Sequence, residues 1–108
     1  MKRITGSNAR VVATVNQGGY MSGYRHEDGK IFGGTYCDPS DTAIATRIYN
    51  NARKDFDFND GEKLESIFSM CPYPGDSSAM ALSIEAGGGG HGRLYKVNVE
   101  TMSRQLLA

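Results

Sequence analysis

The amino-acid sequence predicts an α+β fold, in which an antiparallel sheet of about five strands carries one long and one short helix on one face. Residues 80–84 and 95–99 alternate apolar and polar side chains, which is typical of strands with one buried face. An Asp-Pro pair at position 38 indicates a helix start, and an Asp-Gly pair at position 28 indicates a hairpin. The predicted element order is β-β-β-α-α-β-β, within a single small domain that spans residues 1–108.

Three strands are predicted in the first third of the chain, at residues 9–16, 20–25 and 30–36. Asp28 and Gly29 would join the second strand to the third as a two-residue hairpin, because both central positions of the favoured turn need φ > 0. Gly23, Gly33 and Gly34 weaken these strands. They indicate bulges or places where the backbone is closely approached.

The long helix is predicted to run from Asp38 to about Lys54. Asp38 can cap it, Pro39 suits the first helical position, and Asp41 is favourable to the helix dipole. An apolar stripe at helical spacing supports this helix and consists of Ile44, Ala45, Ile48, Tyr49 and Ala52.

The short helix is predicted around residues 64–71, where Leu64, Ile67, Phe68 and Cys71 fit the helical template. A strand at residues 66–70 is the alternative. The segment 71–76 contains two prolines and a glycine and is predicted to turn. The last third is predicted to be a hairpin, followed by a tail whose Leu106 and Leu107 need a partner, either the core or another subunit.

Composition limits the classes of partner. The chain has 108 residues, with Lys plus Arg equal to Asp plus Glu, and a net charge of zero. This balance does not favour nucleic acid or an anionic membrane as a partner. No apolar run reaches membrane-helix length and the N-terminus does not resemble a signal peptide, so we expect a cytoplasmic protein.

No cofactor or metal is expected. Cys37 and Cys71 are predicted to be reduced thiols, because no secretion signal places them in an oxidising compartment. Together with His26 and His91 they show no ligand pairs at short spacing, so a zinc site is not predicted.

The run of four glycines at 87–90, followed by His91, is the strongest candidate for a site. Its amide groups could cradle an anion, and neighbouring cationic side chains could add charge. The candidate ligand-binding residues are Gly88, Gly89, Gly90, His91 and Arg93. The other interpretation is a glycine-rich hairpin connection without a ligand, because a strand rather than a helix is predicted to follow.

The Gly-Gly-Gly-Gly-His sequence at 87–91 resembles a run found in the nucleotide-binding domain of DHH-type phosphoesterases. In that family the run serves substrate binding and continues into small residues. Here Gly92, Arg93 and Leu94 follow, which departs from the family pattern, and no residue role is transferred.

His26 and the acidic loop at 55–62 each have a structural and a functional interpretation. His26, beside Glu27 and Asp28, could be a general acid or base, or an exposed turn residue. The acidic loop 55–62 resembles a calcium loop, but it lacks glycine and glutamate at the positions that calcium binding requires. Phe56 and Phe58 are instead expected to anchor the loop to the core.

The six tyrosines suit either a small core or a contact surface. Tyr20 and Tyr24 share a face if their strand is regular.

The sequence shows no catalytic constellation. We therefore expect a non-enzymatic accessory module, of bacterial or phage type, that binds an unidentified protein or a second copy of itself as a homodimer. The alternatives are a small anion- or nucleotide-binding protein or enzyme that uses the glycine run, and a single-stranded nucleic-acid binder that uses the sheet face.

Overall fold

A computed structural model of the chain describes residues 9–14, 19–36, 43–87 and 91–108. These residues form two four-stranded antiparallel sheets, and none of them lies in a helix. The predicted α+β fold with two helices is therefore wrong, and the described fold is all-β. Consistently, no helix in the described ranges has the length and hydrophobicity needed to cross a membrane.

Sheet A contains the first four strands in sequential order: β1 (Tyr20–Arg25), β2 (Ile31–Thr35), β3 (Ile44–Tyr49) and β4 (Ala52–Asp57). β1 and β2 confirm two predicted strands and the hairpin between them. The loop of this hairpin differs from the predicted two-residue turn. His26 N donates to Lys30 O, and within the loop only Gly29 has a positive φ, at 99°. The connection is a three-residue loop whose glycine supplies the left-handed position.

The predicted long helix is wrong over the residues that the structure describes, and its first part, 38–42, lies outside them. β3 and β4 form a hairpin, and Asn50 and Asn51 turn it with φ of 52° and 62°. Asparagine tolerates this left-handed conformation better than most residues. The apolar stripe misled the prediction because positions four apart share a face in a strand as well as in a helix.

Sheet B contains the other four strands, also in sequential order: β5 (Glu65–Pro72), β6 (Ala79–Ala86), β7 (Arg93–Asn98) and β8 (Arg104–Leu106). β6 and β7 confirm the predicted hairpin, and Met80, Leu82 and Ile84 are buried as the alternation requires. β8 pairs with β7, but Leu106 and Leu107 stay 59% and 40% exposed.

The short helix predicted at 64–71 is wrong, and the alternative strand is right. A register shift between Ile67 and Ser69 leaves Phe68 unpaired and exposed, so that Ile67 and Met70 both face the core. This β-bulge converts the two-residue period of a strand into a spacing of three, which resembles a helical pattern. The turn predicted at 71–76 begins later, because β5 continues to Pro72.

The first predicted strand, 9–16, is wrong within its described part. Residues 9–14 form no strand, and 15–16 lie outside the described ranges. Arg53 donates to the carbonyl of Thr14, which holds this segment near β4. The predicted apolar face is not buried, since Val11 is 78% exposed.

The core lies where β5 packs against β1, β2 and β3. A Cβ at Gly34 would overlap Ile67, so the two sheets approach closely at this glycine. Ser22 Oγ donates to Ile67 O over 3.0 Å. Arg47 Nη1 donates to Val99 O and Glu100 O, and Lys30 Nζ lies 2.8 Å from Glu100 Oε2. Sheet A is therefore joined to sheet B by polar contacts as well as by apolar packing.

Candidate functional site

The outer face of sheet A, turned away from sheet B, carries two rows of side chains in register across its four strands. Directly paired residues of an antiparallel sheet lie on the same face. The first row is Gly23, Gly33, Thr46 and Asp55. The second row is Arg25, Ile31, Ile48 and Arg53.

Two cavities meet on this face and share Val12, Ile31 and Ile48 in their lining; we call them together the outer groove. The larger has a volume of about 460 Å³ and is also lined by Arg10, Val11, Gly29, Tyr49, Asn50, Asn51 and Arg53. The smaller has a volume of about 240 Å³ and is also lined by Ala13, Tyr20, Ser22, Gly23, Phe32, Gly33 and Thr46. Residues 11–13 thus supply a wall to a groove whose floor is the sheet.

Two paired glycines form the floor of the smaller cavity. A Cβ at Gly33 would lie 3.0 Å from Tyr20 Cδ1, so the tyrosine ring covers Gly33. A Cβ at Gly23 would meet only the carbonyl of Phe32, at 3.8 Å, so the backbone at Gly23 is open. The cavity exists because neither glycine places a side chain on the outer face.

A hydrogen-bonded chain fixes the Tyr20 ring. Tyr20 Oη donates to Thr46 Oγ1 over 3.0 Å, and Thr46 Oγ1 donates to Asp55 Oδ1 over 2.8 Å. Arg53 Nη2 forms an ion pair with Asp55 Oδ2 at 3.1 Å. Burial alone would raise the pKa of Asp55, but the hydrogen bonds from Arg53 and Thr46 outweigh it and hold the pKa below 3.8.

A bulge in β1 gives Tyr20 this position. The pairing register shifts between Tyr20 and Ser22. Tyr20 therefore lies on the outer face over Gly33, whereas Tyr24 stacks on Phe32 on the inner face, with ring centroids 6.1 Å apart. The shared face predicted for a regular strand is therefore not formed, because the bulge makes β1 irregular.

The outer groove is rimmed by apolar side chains that the fold does not bury. Val12 is 60% exposed, and Ile31 and Tyr49 are about 40% exposed. Among the described residues that line the two cavities there is no carboxylate, whereas Arg10 and Arg53 both line the larger one. The arrangement can hold an apolar group next to a negatively charged one.

Of the candidate residues of the glycine run, the structure describes only His91 and Arg93. Gly88, Gly89 and Gly90 lie outside the described residues, and His91 is exposed. Arg93 lies on the inner face, where its guanidinium donates to Tyr95 Oη, Phe58 O and Glu65 Oε1. Since the buried carboxylate of Glu65 already balances this charge, Arg93 has a structural role, and ligand binding at 87–93 stays a prediction.

His26 is buried, with 1% exposure, so the interpretation as an exposed turn residue is wrong. Its Nε2 lies 2.6 Å from Ser77 O and its Nδ1 lies 2.6 Å from Tyr24 Oη. A carbonyl only accepts, so Nε2 carries a proton, and in the neutral ring Tyr24 donates to Nδ1. Nε2 thus joins the end of β1 to the loop before β6, whereas Nδ1 is held by Tyr24 of β1 itself.

The acidic loop is held by hydrogen bonds that its side chains accept from backbone amides. Asp57 Oδ1 accepts from Asn59 N, and Asn59 Oδ1 accepts from Ala43 N. Phe58 is buried and Phe56 packs against the core, which confirms the predicted anchors. In the part of the chain that the structure describes, no three His, Cys, Asp or Glu side chains are grouped to hold a metal ion.

Comparisons with known proteins add no assignment: no family model, no curated protein and no solved structure matches the chain. The resemblance of the glycine run to DHH-type phosphoesterases thus has no support from a family model. The described residues define an all-β domain of two antiparallel sheets, with a groove on one outer face. The sequence had indicated bulges or close backbone approach at Gly23, Gly33 and Gly34. The structure shows close approach at Gly33 and Gly34, whereas the backbone at Gly23 is open. The sequence had not connected these glycines to residues 11–13.

Proposed function

We propose that this chain is a non-enzymatic protein-binding module, and that the outer groove of sheet A is its contact surface. The observation that supports this most is the exposed apolar rim, with Val12 at 60% and Val11 at 78% exposure. Apolar side chains grouped around a groove are a recognised sign of an interaction surface. The cytoplasmic location remains a prediction from the sequence.

The shape of the groove favours a polypeptide over a small molecule. Small-molecule pockets cover about 70–90% of a ligand's surface. Here Val11 and Val12, which form one wall, are themselves mostly exposed, so a small ligand would stay largely uncovered. A partner surface can instead cover the rim and the floor at the same time.

Site-specific photo-cross-linking tests the proposal. A photoreactive amino acid replaces Val12 in one variant and Ser69, which is exposed on the outer face of sheet B, in a control variant. We expect a cross-linked protein from position 12 that is absent from position 69. Equal products from both positions, or none from position 12, would contradict the proposal.

A cavity-filling variant sharpens the experiment. Gly23→Val fills the smaller cavity, and the open space at Gly23 means that β1 accepts the side chain. The position-12 product should disappear in this background while the circular dichroism spectrum and melting temperature are kept. Mass spectrometry of the product shows whether the partner is a different protein or a second copy of the chain.

A further inference from the structure

The floor of the smaller cavity is half covered. Gly23 and Gly33 pair directly across β1 and β2, and Tyr20 covers only Gly33. Aromatic rings that lie over strand glycines shield exposed backbone and stabilise a sheet. The equivalent position over Gly23 has no such ring among the described residues, although it borders the same cavity.

We infer that the partner places an aromatic side chain over Gly23, beside Tyr20, and that this side chain belongs to an acidic segment of polypeptide. This inference rests on the proposed function. It specifies that the partner carries an aromatic side chain with carboxylates near it.

The size of the smaller cavity limits what can enter it. Its volume of about 240 Å³ lies below the roughly 300 Å³ at which small-molecule pockets begin. One large side chain fits such a space better than a whole ligand does. Interfaces commonly place a single aromatic anchor in a pocket of this kind.

The spacing of the sheet favours an aromatic ring over an aliphatic group. Neighbouring strands lie about 4.8 Å apart, so a ring over Gly23 would lie about that far from the Tyr20 ring over Gly33. Favourable aromatic pairs have centroid separations of about 4.5–7 Å. The hydrogen bond from Tyr20 Oη to Thr46 keeps the existing ring in place to form such a pair.

The charge of the larger cavity indicates an acidic segment. Arg10 and Arg53 line it. Arg53 is already paired with Asp55 and donates to Thr14 O. The charge offered to a ligand is therefore that of Arg10. Since the two cavities share Val12, Ile31 and Ile48, a chain with its ring over Gly23 would continue past Arg10. A carboxylate beside the ring would meet complementary charge there.

Peptide titrations followed by two-dimensional NMR test the inference. The probe is the blocked peptide Glu-Ser-Phe-Ser-Glu, compared with a version carrying leucine instead of phenylalanine and a version carrying lysine instead of glutamate. We expect saturable shifts at the Gly23 and Gly33 amides. We expect about threefold to tenfold weaker binding for the leucine and lysine versions. Equal binding of all three peptides, or no shift at these amides, would overturn the inference.

Two variants separate the site from the fold. Gly23→Val should abolish binding of the phenylalanine peptide, whereas Gly19→Val adds the same side chain where a Cβ meets nothing within 4 Å and should leave binding unchanged. Unaltered binding by Gly23→Val would refute the inferred position of the ring. If position 12 still cross-links a partner while the peptides show no preference, the inference fails and the proposed function stands.

Discussion

Sheets A and B have the same number of strands and the same antiparallel order, but they differ in how much apolar surface they bury. In sheet B, most inner-face side chains of β6 and β7 are apolar and buried in the core. Leu82 and Val97, for example, have 0% exposure. In sheet A, no residue of β1 is fully buried, and β4 is exposed almost throughout. The comparison shows that the strands of sheet B contribute most of the buried apolar side chains of the core, whereas sheet A leaves more of its side chains exposed.

The largest expected effect is a cavity in the face of sheet B. Leu82→Ala removes a fully buried side chain and should lower the free energy of unfolding by about 2–5 kcal/mol. Ile31→Ala removes a side chain of the same size from the outer face of sheet A and should cost less than about 1.5 kcal/mol. Urea denaturation measures both, and equal losses would break the contrast between the sheets.

The two faces of β2 should differ in their tolerance of a methyl group. Gly34→Ala places a Cβ into Ile67 and Ser22, where the core cannot move freely, and should cost about 1–3 kcal/mol. Gly33→Ala places a Cβ 3.0 Å from the Tyr20 ring on the outer face, a smaller overlap than the one at Gly34, and should cost less. Thermal unfolding of the two variants compares them, and a milder effect at Gly34 would mean that the sheets pack less closely there.

Replacing the two histidines should lower the free energy of unfolding by different amounts. His26→Leu leaves the carbonyl of Ser77 without its donor and should destabilise the protein by about 1–3 kcal/mol. His91→Leu changes an exposed side chain and should stay within about 0.5 kcal/mol. Chemical denaturation of both variants measures the difference, which should vanish if His26 is not buried in solution.

The smallest expected effect is an acid-dependent weakening of the contact between the β1–β2 loop and sheet B. Burial would raise the pKa of Asp28, but its hydrogen bonds with Lys30 outweigh burial, so its pKa lies below 3.8. The pKa of Glu100 also lies below its usual 4.5, chiefly because of its hydrogen bond with Lys30. The stabilising contribution of both carboxylates is complete above their usual pKa values and is lost as the pH falls through the lowered ones.

NMR titration of the carboxyl carbons of Asp28 and Glu100 measures both pKa values. In Lys30→Met both should return toward their usual values. The pKa of Asp76, held at about 2 by hydrogen bonds from Ser78 and Lys96, should not change and is the internal control. Unaltered values for Asp28 and Glu100 in this variant would contradict the assigned contact.

The sequence predicted sheet B better than sheet A, and the reason is physical. Alternation at 80–84 and 95–99 reports burial on one side of a strand, and the structure buries those faces. Where burial was irregular, the pattern failed: the bulge at Phe68 produced a helix-like spacing in β5, and the turn at Asn50 and Asn51 was not recognised.

The candidate groove could be predicted only in fragments. Gly33 indicated close approach, yet its pairing with Gly23 depends on the loop at Gly29, and the ring that covers it depends on the bulge after Tyr20. The wall at 11–13 is held near the sheet by the hydrogen bond from Arg53 to the neighbouring Thr14, which no local pattern encodes.

Strand β4 has a consequence for solubility. It lies at the edge of sheet A, and no strand among the described residues pairs with its outer side. Arg53, Lys54, Asp55 and Asp57 place charges of both signs along it. Charged edge strands discourage the growth of intermolecular sheets. The outer face of sheet A carries an apolar groove. The charges along β4 can keep molecules from aggregating through the adjacent edge at high concentration.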